Sequence, residues 1–178
     1  MGEMLSKYAK GEDDSPVCEG IDDDVKSIGN GHTFKTDLIG REDCRTGIDY
    51  LCESVGARLR AAGMKCSSVS LTIKDTNLVS IQRQAPIYPP SDIGREISDV
   101  AYSILLSNWQ ENKPVRILTV TATGLSRIDA DGVQLELIEA DDESRNKTRN
   151  FEKTVDKIRQ KHGYSSVVRG YSIKKNNT

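Results

Sequence analysis

The chain has 178 residues, of which 36% are hydrophobic and 29% charged, with a formal net charge of −2. That composition suits one domain of ordinary size with solvated extensions. No run of eighteen apolar residues and no signal-peptide pattern occurs, so a helical membrane span is excluded and the expectation is a soluble, cytoplasmic protein with no membrane partner. Cys18, Cys44, Cys52 and Cys66 form no C-x-x-C pair and stand near no histidine cluster, the pattern of reduced structural thiols.

The small net charge conceals segments of opposite sign. Residues 1–25 sum to −6, residues 26–125 to +2, residues 126–144 to −6 and residues 145–178 to +8. The basic parts are candidates for a polyanionic partner.

In chain order, Leu5 to Ala9 reads as the last turn of a helix stopped at Gly11, followed by an acidic, Pro-containing linker through Asp24. Val25 to Phe34 then places Gly29 and Gly31 among Ser27, Asn30 and Thr33. Two glycines two positions apart suit a strand whose backbone lies close to another surface, and they also suit an ordinary edge strand. Lys35 to Gly40 is expected to turn the chain. From Arg41 to Ala62, apolar residues recur at helical spacing and Gly63 follows as a stop.

Ser68 to Lys74 alternates cleanly, with Val69, Leu71 and Ile73 on one face and Ser68, Ser70, Thr72 and Lys74 on the other. Asp75-Thr76-Asn77 makes it the first arm of a hairpin. The second arm runs from Leu78 to Ala85, with Ser80, Gln82 and Gln84 sharing a face, and Pro86, Pro89 and Pro90 are expected to end it. A second helix is expected from Ser91 to Asn108, capped by Ser91 or Asp92. The last strand, Val115 to Leu125, sets Leu118, Val120 and Ala122 against Ile117, Thr119, Thr121 and Thr123.

The order strand, helix, strand, strand, helix, strand predicts an α+β fold. Its frame is the split βαβ, ferredoxin-like arrangement of a four-stranded antiparallel sheet with both helices on one face. The opposite sheet face is then rich in Ser, Thr, Gln and Lys and poor in carboxylates, a surface of short donors suited to phosphate oxygens. After residue 125 come an acidic linker, a basic surface helix from Arg145 to Gly163 with a thin apolar stripe of Phe151, Val155 and Ile158, and a basic tail.

Several motifs carry a resemblance. Lys26-Ser27-Ile28-Gly29-Asn30 resembles the signature that opens the little-finger domain of Y-family DNA polymerases, and Val115 to Val120 with Gly124-Leu125 resembles that domain's last strand. Gln134-Leu135-Glu136-Leu137-Ile138 is similar to the peptide with which bacterial replication proteins hold the sliding clamp. Val155 to Gly163 with Arg169-Gly170 resembles the tail of DinB/UmuC-type polymerases, and Tyr8-Ala9-Lys10-Gly11 the end of the preceding thumb.

The resemblance runs in order over nearly the whole chain and implies the C-terminal part of a Y-family polymerase of the polymerase IV or DinB/UmuC type. It divides the chain into residues 1–25, the end of the thumb region and a linker; 26–125, the little finger; 126–144, a linker with the clamp-binding motif; and 145–178, a basic helix and tail. It implies that the little finger holds duplex primer-template DNA without reading sequence. Lys26, Ser27, Gly29, Asn30, Thr33, Lys74, Ser80, Gln82, Arg116, Thr119, Thr121 and Thr123 are the candidate contacts, with Gln134, Leu135, Leu137 and Ile138 for the clamp.

The catalytic palm, fingers and thumb would be further partners. No catalytic residue and no cofactor is expected in this chain, because the Mg²⁺ ions of nucleotidyl transfer would sit on a palm. Thr119 and Thr121 stand where relatives often have glycine, and Ile138 where an aromatic is usual. Two other readings remain open from the residues: a clamp-binding adaptor with an inert sheet, and a ferredoxin-like RNA-binding protein. The second would call for exposed aromatics on the middle strands.

Overall fold

Four segments of alternating polarity pair into a single antiparallel sheet, and the helices between them cover one of its faces. The computed structural model describes residues 2–13, 25–127 and 142–168. The elements are α1 (Gly2–Ala9), β1 (Ser27–Leu38), α2 (Gly40–Ala61), β2 (Met64–Lys74), β3 (Ser80–Ser91), α3 (Gly94–Asn108), β4 (Val115–Arg127) and α4 (Asp142–His162), followed by one 3₁₀ turn, Tyr164–Ser166. The strand order is β1-β4-β2-β3 with every neighbouring pair antiparallel. Both helical crossovers are therefore split: β4 lies between β1 and β2, and β2 lies between β3 and β4. The expected α+β architecture is borne out.

The core lies between sheet and helices. Val69, Leu71 and Ile73 of β2 and Leu118, Val120 and Ala122 of β4 are at most 1% exposed. They pack against Ile48, Leu51, Cys52, Val55 and Leu59 of α2 and Ile97, Ala101, Ile104 and Leu105 of α3. Gly56 and Gly94 let the two helices meet closely. A Cβ on Gly56 would stand 3.1 Å from the Cα of Gly94, so a side chain there would force the helices apart. Cys44, Cys52 and Cys66 are buried. Burial pushes the Cys66 thiol up to about 11 and raises that of Cys52 as well, which keeps both protonated and inert. Trp109 closes the end of α3, donating its indole N–H to the Lys113 carbonyl at 2.9 Å.

Several expected boundaries move. β1 runs on to Leu38, through the stretch read as a turn, with a register shift between Thr33 and Leu38 that absorbs the change of direction. β2 begins at Met64 and β4 ends at Arg127, both longer than the alternation implied. The three prolines do not end β3. That strand passes through all of them to Ser91 because it lies at the sheet's edge, where a missing N–H breaks no ladder bond to a further strand. It starts only at Ser80, because Leu78 has a left-handed φ of 64° inside the turn.

The cap of α3 also differs. The helix begins at Gly94, and the Ser91 hydroxyl accepts from the Ile93 N–H at 3.0 Å rather than capping the first turn. The Gly94 N–H, one of the orphan donors of the helix start, is satisfied from another element: it donates to the Glu152 carboxylate of α4 at 3.0 Å. A negative charge there also complements the helix dipole.

Glu152 belongs to the contact that docks α4 on the outside of the helix layer. Arg60 of α2 donates to Glu152 Oε2 at 2.5 Å and to Asp156 at 2.6 and 3.1 Å, and also to the Asp92 carbonyl at 2.7 Å. Arg145 pairs with Glu96, Arg149 with Asp92 and Arg159 with Glu53. The thin apolar stripe of this surface helix contributes little to the contact: Phe151 is 67% exposed and Ile158 39%. The docked face is ionic instead, and its groups satisfy one another. With the Arg60 and Glu152 side chains 5% and 8% exposed, removal of one partner strands the other in a desolvated place. Glu152→Ala is expected to weaken docking of α4 by roughly 3 kcal/mol. The check is faster amide exchange and earlier protease cleavage in α4, with much less change in the β-strand amides.

Candidate nucleic-acid interface

The pairing lines up the outward side chains of the sheet into four rows of four. One row is Ser27, Thr123, Ser68 and Pro86; the next is Gly29, Thr121, Ser70 and Gln84. Then come Gly31, Thr119, Thr72 and Gln82, and last Thr33, Ile117, Lys74 and Ser80. None of the sixteen positions holds a carboxylate or an aromatic, and one holds a cation. A face of this kind offers hydroxyl and amide hydrogens to anionic oxygens with no like charge to oppose them.

Nine of the expected contact residues share this face: Ser27, Gly29, Thr33, Lys74, Ser80, Gln82, Thr119, Thr121 and Thr123. Asn30 does not. It pairs with the buried Val120, so its side chain lies on the helix side of β1. Arg116 lies at the end of the sheet beside the register shift, 3.8 Å from Asp37, and Lys26 precedes β1. The face further includes Gly31, Ser68, Ser70, Thr72 and Gln84, which the contact list omitted although the alternation already put Ser68, Ser70, Thr72 and Gln84 there. Gln134, Leu135, Leu137 and Ile138 lie outside the described residues.

Some of these donors are already engaged. Gln82 donates to the Ser70 hydroxyl at 2.9 Å, and Ser68 donates to the Ala85 carbonyl at 3.1 Å. The hydroxyl oxygen of Thr123 is buried without a hydrogen-bond partner among the described residues.

The two glycines of β1 have a local cause. A Cβ on Gly29 would stand 2.9 Å from the Thr121 hydroxyl oxygen, and one on Gly31 2.5 Å from that of Thr119. The close surface implied by the glycine spacing is thus the neighbouring strand, whose threonines lean over the gaps. The glycines also leave the β1 backbone uncovered on this face. At the same strand, Arg58 of α2 donates to the Gly29 carbonyl at 2.6 Å and satisfies one acceptor of the free edge.

At the far end of the β2–β3 hairpin, Asp75 is buried. It accepts from the Val79 N–H at 2.9 Å and pairs with Lys113 at 2.8 Å. The Lys113 hydrogen bond holds its carboxyl below the usual carboxylate range. Lys113 in turn lies 4.4 Å over the Trp109 ring. Among the described residues no group of three or more His, Cys, Asp or Glu is placed to hold a metal ion.

Residues 25–137 match the family model of the impB/mucB/samB family C-terminal domain. The chain belongs to that family. It is 40% identical over 170 residues to DNA polymerase IV of Acetivibrio thermocellus, an alignment covering 95% of this chain and 42% of the relative. To DNA polymerase IV of Clostridium kluyveri it is 33% identical over 179 residues, covering 98% and 44%. The chain thus spans less than half the length of these curated relatives. A solved complex of β-clamp processivity factor and the little finger domain of PolIV aligns with 64% of this chain and 98% of that one, at 14% identity and a TM-score of 0.47. The resemblance read from the motifs is borne out by the family match and the curated relatives. In this impB/mucB/samB C-terminal domain, Lys26 to Asn30 opens the matched region and the polar rows lie wholly within it.

The Gly–Thr fit in this family member yields a direct test. Gly31→Ala is expected to lower the melting temperature by several degrees, corresponding to about 1–2 kcal/mol of overpacking against a β-branched side chain of restricted rotamer. Adding Thr119→Ala removes the atoms it meets and is expected to restore most of the loss, which a double-mutant cycle by thermal unfolding checks.

Proposed function

We propose that this chain is the non-catalytic DNA-holding part of a translesion DNA polymerase, laying its sixteen-residue polar face along the backbone of duplex primer-template DNA. The observation that carries this reading is the carboxylate-free face of aligned hydroxyl and amide side chains within a domain of the impB/mucB/samB family. Contacts to phosphate and sugar position a protein without a sequence code, as copying any template requires. In this reading Ser27, Gly29, Thr33, Ser80, Gln82, Thr119, Thr121 and Thr123 meet the backbone, with Lys74 on the face and Lys26 and Arg116 at its border. The same-face geometry replaces Asn30 with Gly31 and Thr72.

Residues 1–25 act as the end of a preceding thumb and its linker, 26–125 as the holding domain, and 126–144 as a second linker. Nucleotidyl transfer and its Mg²⁺ ions belong to a palm in the same polymerase, which works in the cytoplasm. No helix among the described residues is long and apolar enough to cross a membrane. The RNA-binding alternative is disfavoured because the face carries no ring on which a base could stack.

The experiment is a salt-dependent titration with duplexes of unrelated sequence. Two or three neutralised phosphates give a slope of log affinity against log salt of about −2 to −3. Thr119→Val and Thr121→Val keep the side-chain shape and remove the hydroxyl, and each is expected to weaken all duplexes alike by roughly 0.5–1.5 kcal/mol. Strong preference for one sequence, or no response to the loss of both hydroxyls, overturns the backbone-contact reading.

The second part of the proposal is that Gln134 to Ile138 binds a sliding clamp as an extended peptide, with Leu135, Leu137 and Ile138 entering an apolar groove and Gln134 supplying a directional hydrogen bond. Replacing Leu137 and Ile138 by alanine is expected to abolish binding to a bacterial sliding clamp in a pull-down or surface-binding assay, with the melting temperature nearly unchanged. A large drop in melting temperature instead makes the motif part of the fold.

A further inference from the structure

The helix side of the domain carries a row of aromatic rings of which only Phe34 packs against the core. His32 and Phe34 of β1 meet edge to face with ring centres 5.0 Å apart. His32 meets Tyr50 of α2 at 5.9 Å, and Tyr50 meets Tyr164, just beyond α4, at 6.1 Å. The rings form a continuous row from the free edge of β1, across α2, to the end of α4. Tyr50 is 46% exposed, Tyr164 is 45%, and His32 is exposed too. A contiguous row of rings left in water marks a binding surface better than it serves folding. Its far end is held in place: the Arg159 guanidinium lies 4.4 Å over Tyr164, and Glu53 accepts from Arg159 at 2.9 Å and from the Tyr164 hydroxyl at 3.3 Å.

The neighbouring helix has two faces. Arg145, Arg149, Glu152, Asp156 and Arg159 point to the domain and are paired there. Lys153, Lys157 and Lys161 recur every fourth residue and so form one stripe along the helix. All three are exposed and none has an ion-pair partner among the described residues. The stripe extends about 12 Å along the axis and ends three residues before Tyr164. Because α4 is pinned by its other face, the stripe is fixed in orientation toward the end that carries the ring row.

The geometry points to a second nucleic-acid surface on this side, one that takes a single strand: its backbone runs along Lys153, Lys157 and Lys161, and its unstacked bases lie against Tyr164, Tyr50 and His32. A cationic track leading to exposed rings is the combination that single strands recognise, since their bases are free to stack. A duplex could use the lysines but has no open base for the rings. An acidic peptide could use the lysines and would ignore the rings. The observations therefore favour a single strand. This surface lies across the sheet and the helix layer from the polar rows, so the inference does not rest on the duplex-holding reading, and both ligands can be held at once.

The test measures fluorescence anisotropy of a labelled oligothymidine of about 16 nucleotides, the upper range of single-strand site sizes, with the whole 178-residue chain. A blunt duplex of the same length serves as the second arm. Tyr50→Ala combined with Tyr164→Ala is expected to weaken single-strand binding about tenfold or more, each lost stack contributing at that scale. Lys153, Lys157 and Lys161 changed together to alanine are expected to flatten the salt slope by about 2. Neither change is expected to alter duplex binding, and Lys74→Ala is expected to do the reverse. Tyr50 is half-buried, so each variant's melting is recorded. If the tyrosine pair fails to fold, the lysine variant, whose side chains have no ion-pair partner among the described residues, decides. Single-strand binding that is absent, that survives the lysine change, or that follows Lys74 and Thr119 overturns the inference. So does a polyglutamate peptide that binds as tightly as the oligonucleotide, an outcome that assigns the stripe to an acidic protein partner.

Discussion

The register of β4 is the constraint on which the rest depends. It is one of the two central strands, paired along most of its length with β1 on one side and β2 on the other, and β2 carries that register on to β3. Side chains on a strand alternate with period two, so a slip of one residue anywhere in β4 would send Leu118, Val120 and Ala122 into water and bring Thr119, Thr121 and Thr123 into the core. The apolar half of that alternation fixes the register because its burial is worth far more than any one contact on the other side. The polar rows are then a geometric consequence: once the core faces of four strands are sorted, the hydroxyls have one place to go. A polar face thus comes with the fold and needs no additional folding energy of its own.

A different kind of force holds α4. The helix offers few apolar residues, and Phe151 and Ile158 among them stay exposed, so its position depends on guanidinium–carboxylate geometry. Such contacts are directional, and they are replaceable by water at modest cost once the elements part. Arg60 is the centre of the arrangement: it joins α2, the Asp92 carbonyl ahead of α3, and two carboxylates of α4. Glu152 meets it there and also completes the start of α3. The consequence is a division of stability. The sheet and its two helices stand on burial, whereas α4 is an attached layer whose hold weakens with salt at its more exposed pairs, such as Arg145 with Glu96.

This division also explains what could be read from the amino-acid sequence. The strand faces were legible because alternation is local: Val69, Leu71 and Ile73 need no knowledge of the partner strand to be assigned to one side. The misplaced Asn30 was legible by the same rule, since the period that groups Ser27, Gly29, Gly31 and Thr33 puts Asn30 with Ile28. The end of β3 was not legible. Whether Pro86, Pro89 and Pro90 stop a strand depends on whether anything pairs beyond it, which is a property of strand order. The seat of α4 was hidden for a similar reason. Its partners lie 92 to 106 residues away in the chain for Arg60–Glu152, Arg60–Asp156 and Arg159–Glu53. A charged residue on a helix looks the same in sequence whether it faces solvent or a distant guanidinium. Helical spacing highlighted Phe151 and Ile158, and burial followed the charges instead.

The chemistry of the proposed duplex face bears on how such a domain could hold DNA while letting it advance. A strongly cationic surface binds through released counterions, with an affinity that rises steeply as salt falls. The sheet face has only Lys74 among its sixteen positions, with Lys26 and Arg116 at the border. The remaining attraction must come from short, shape-dependent hydrogen bonds of Thr, Ser and Gln. Each of these is worth little net because water competes for the same groups. A surface made of many small, equivalent donors repeats itself from row to row. Moving the backbone past it then exchanges one donor for a similar one, and no single strong contact has to break. In the proposed hold, Gly29 and Gly31 add no side chain of their own to the β1 lane, over which Thr119 and Thr121 lean. Weak cohesion per contact and near-uniform spacing are the physical conditions for a hold that is continuous and yet permits movement.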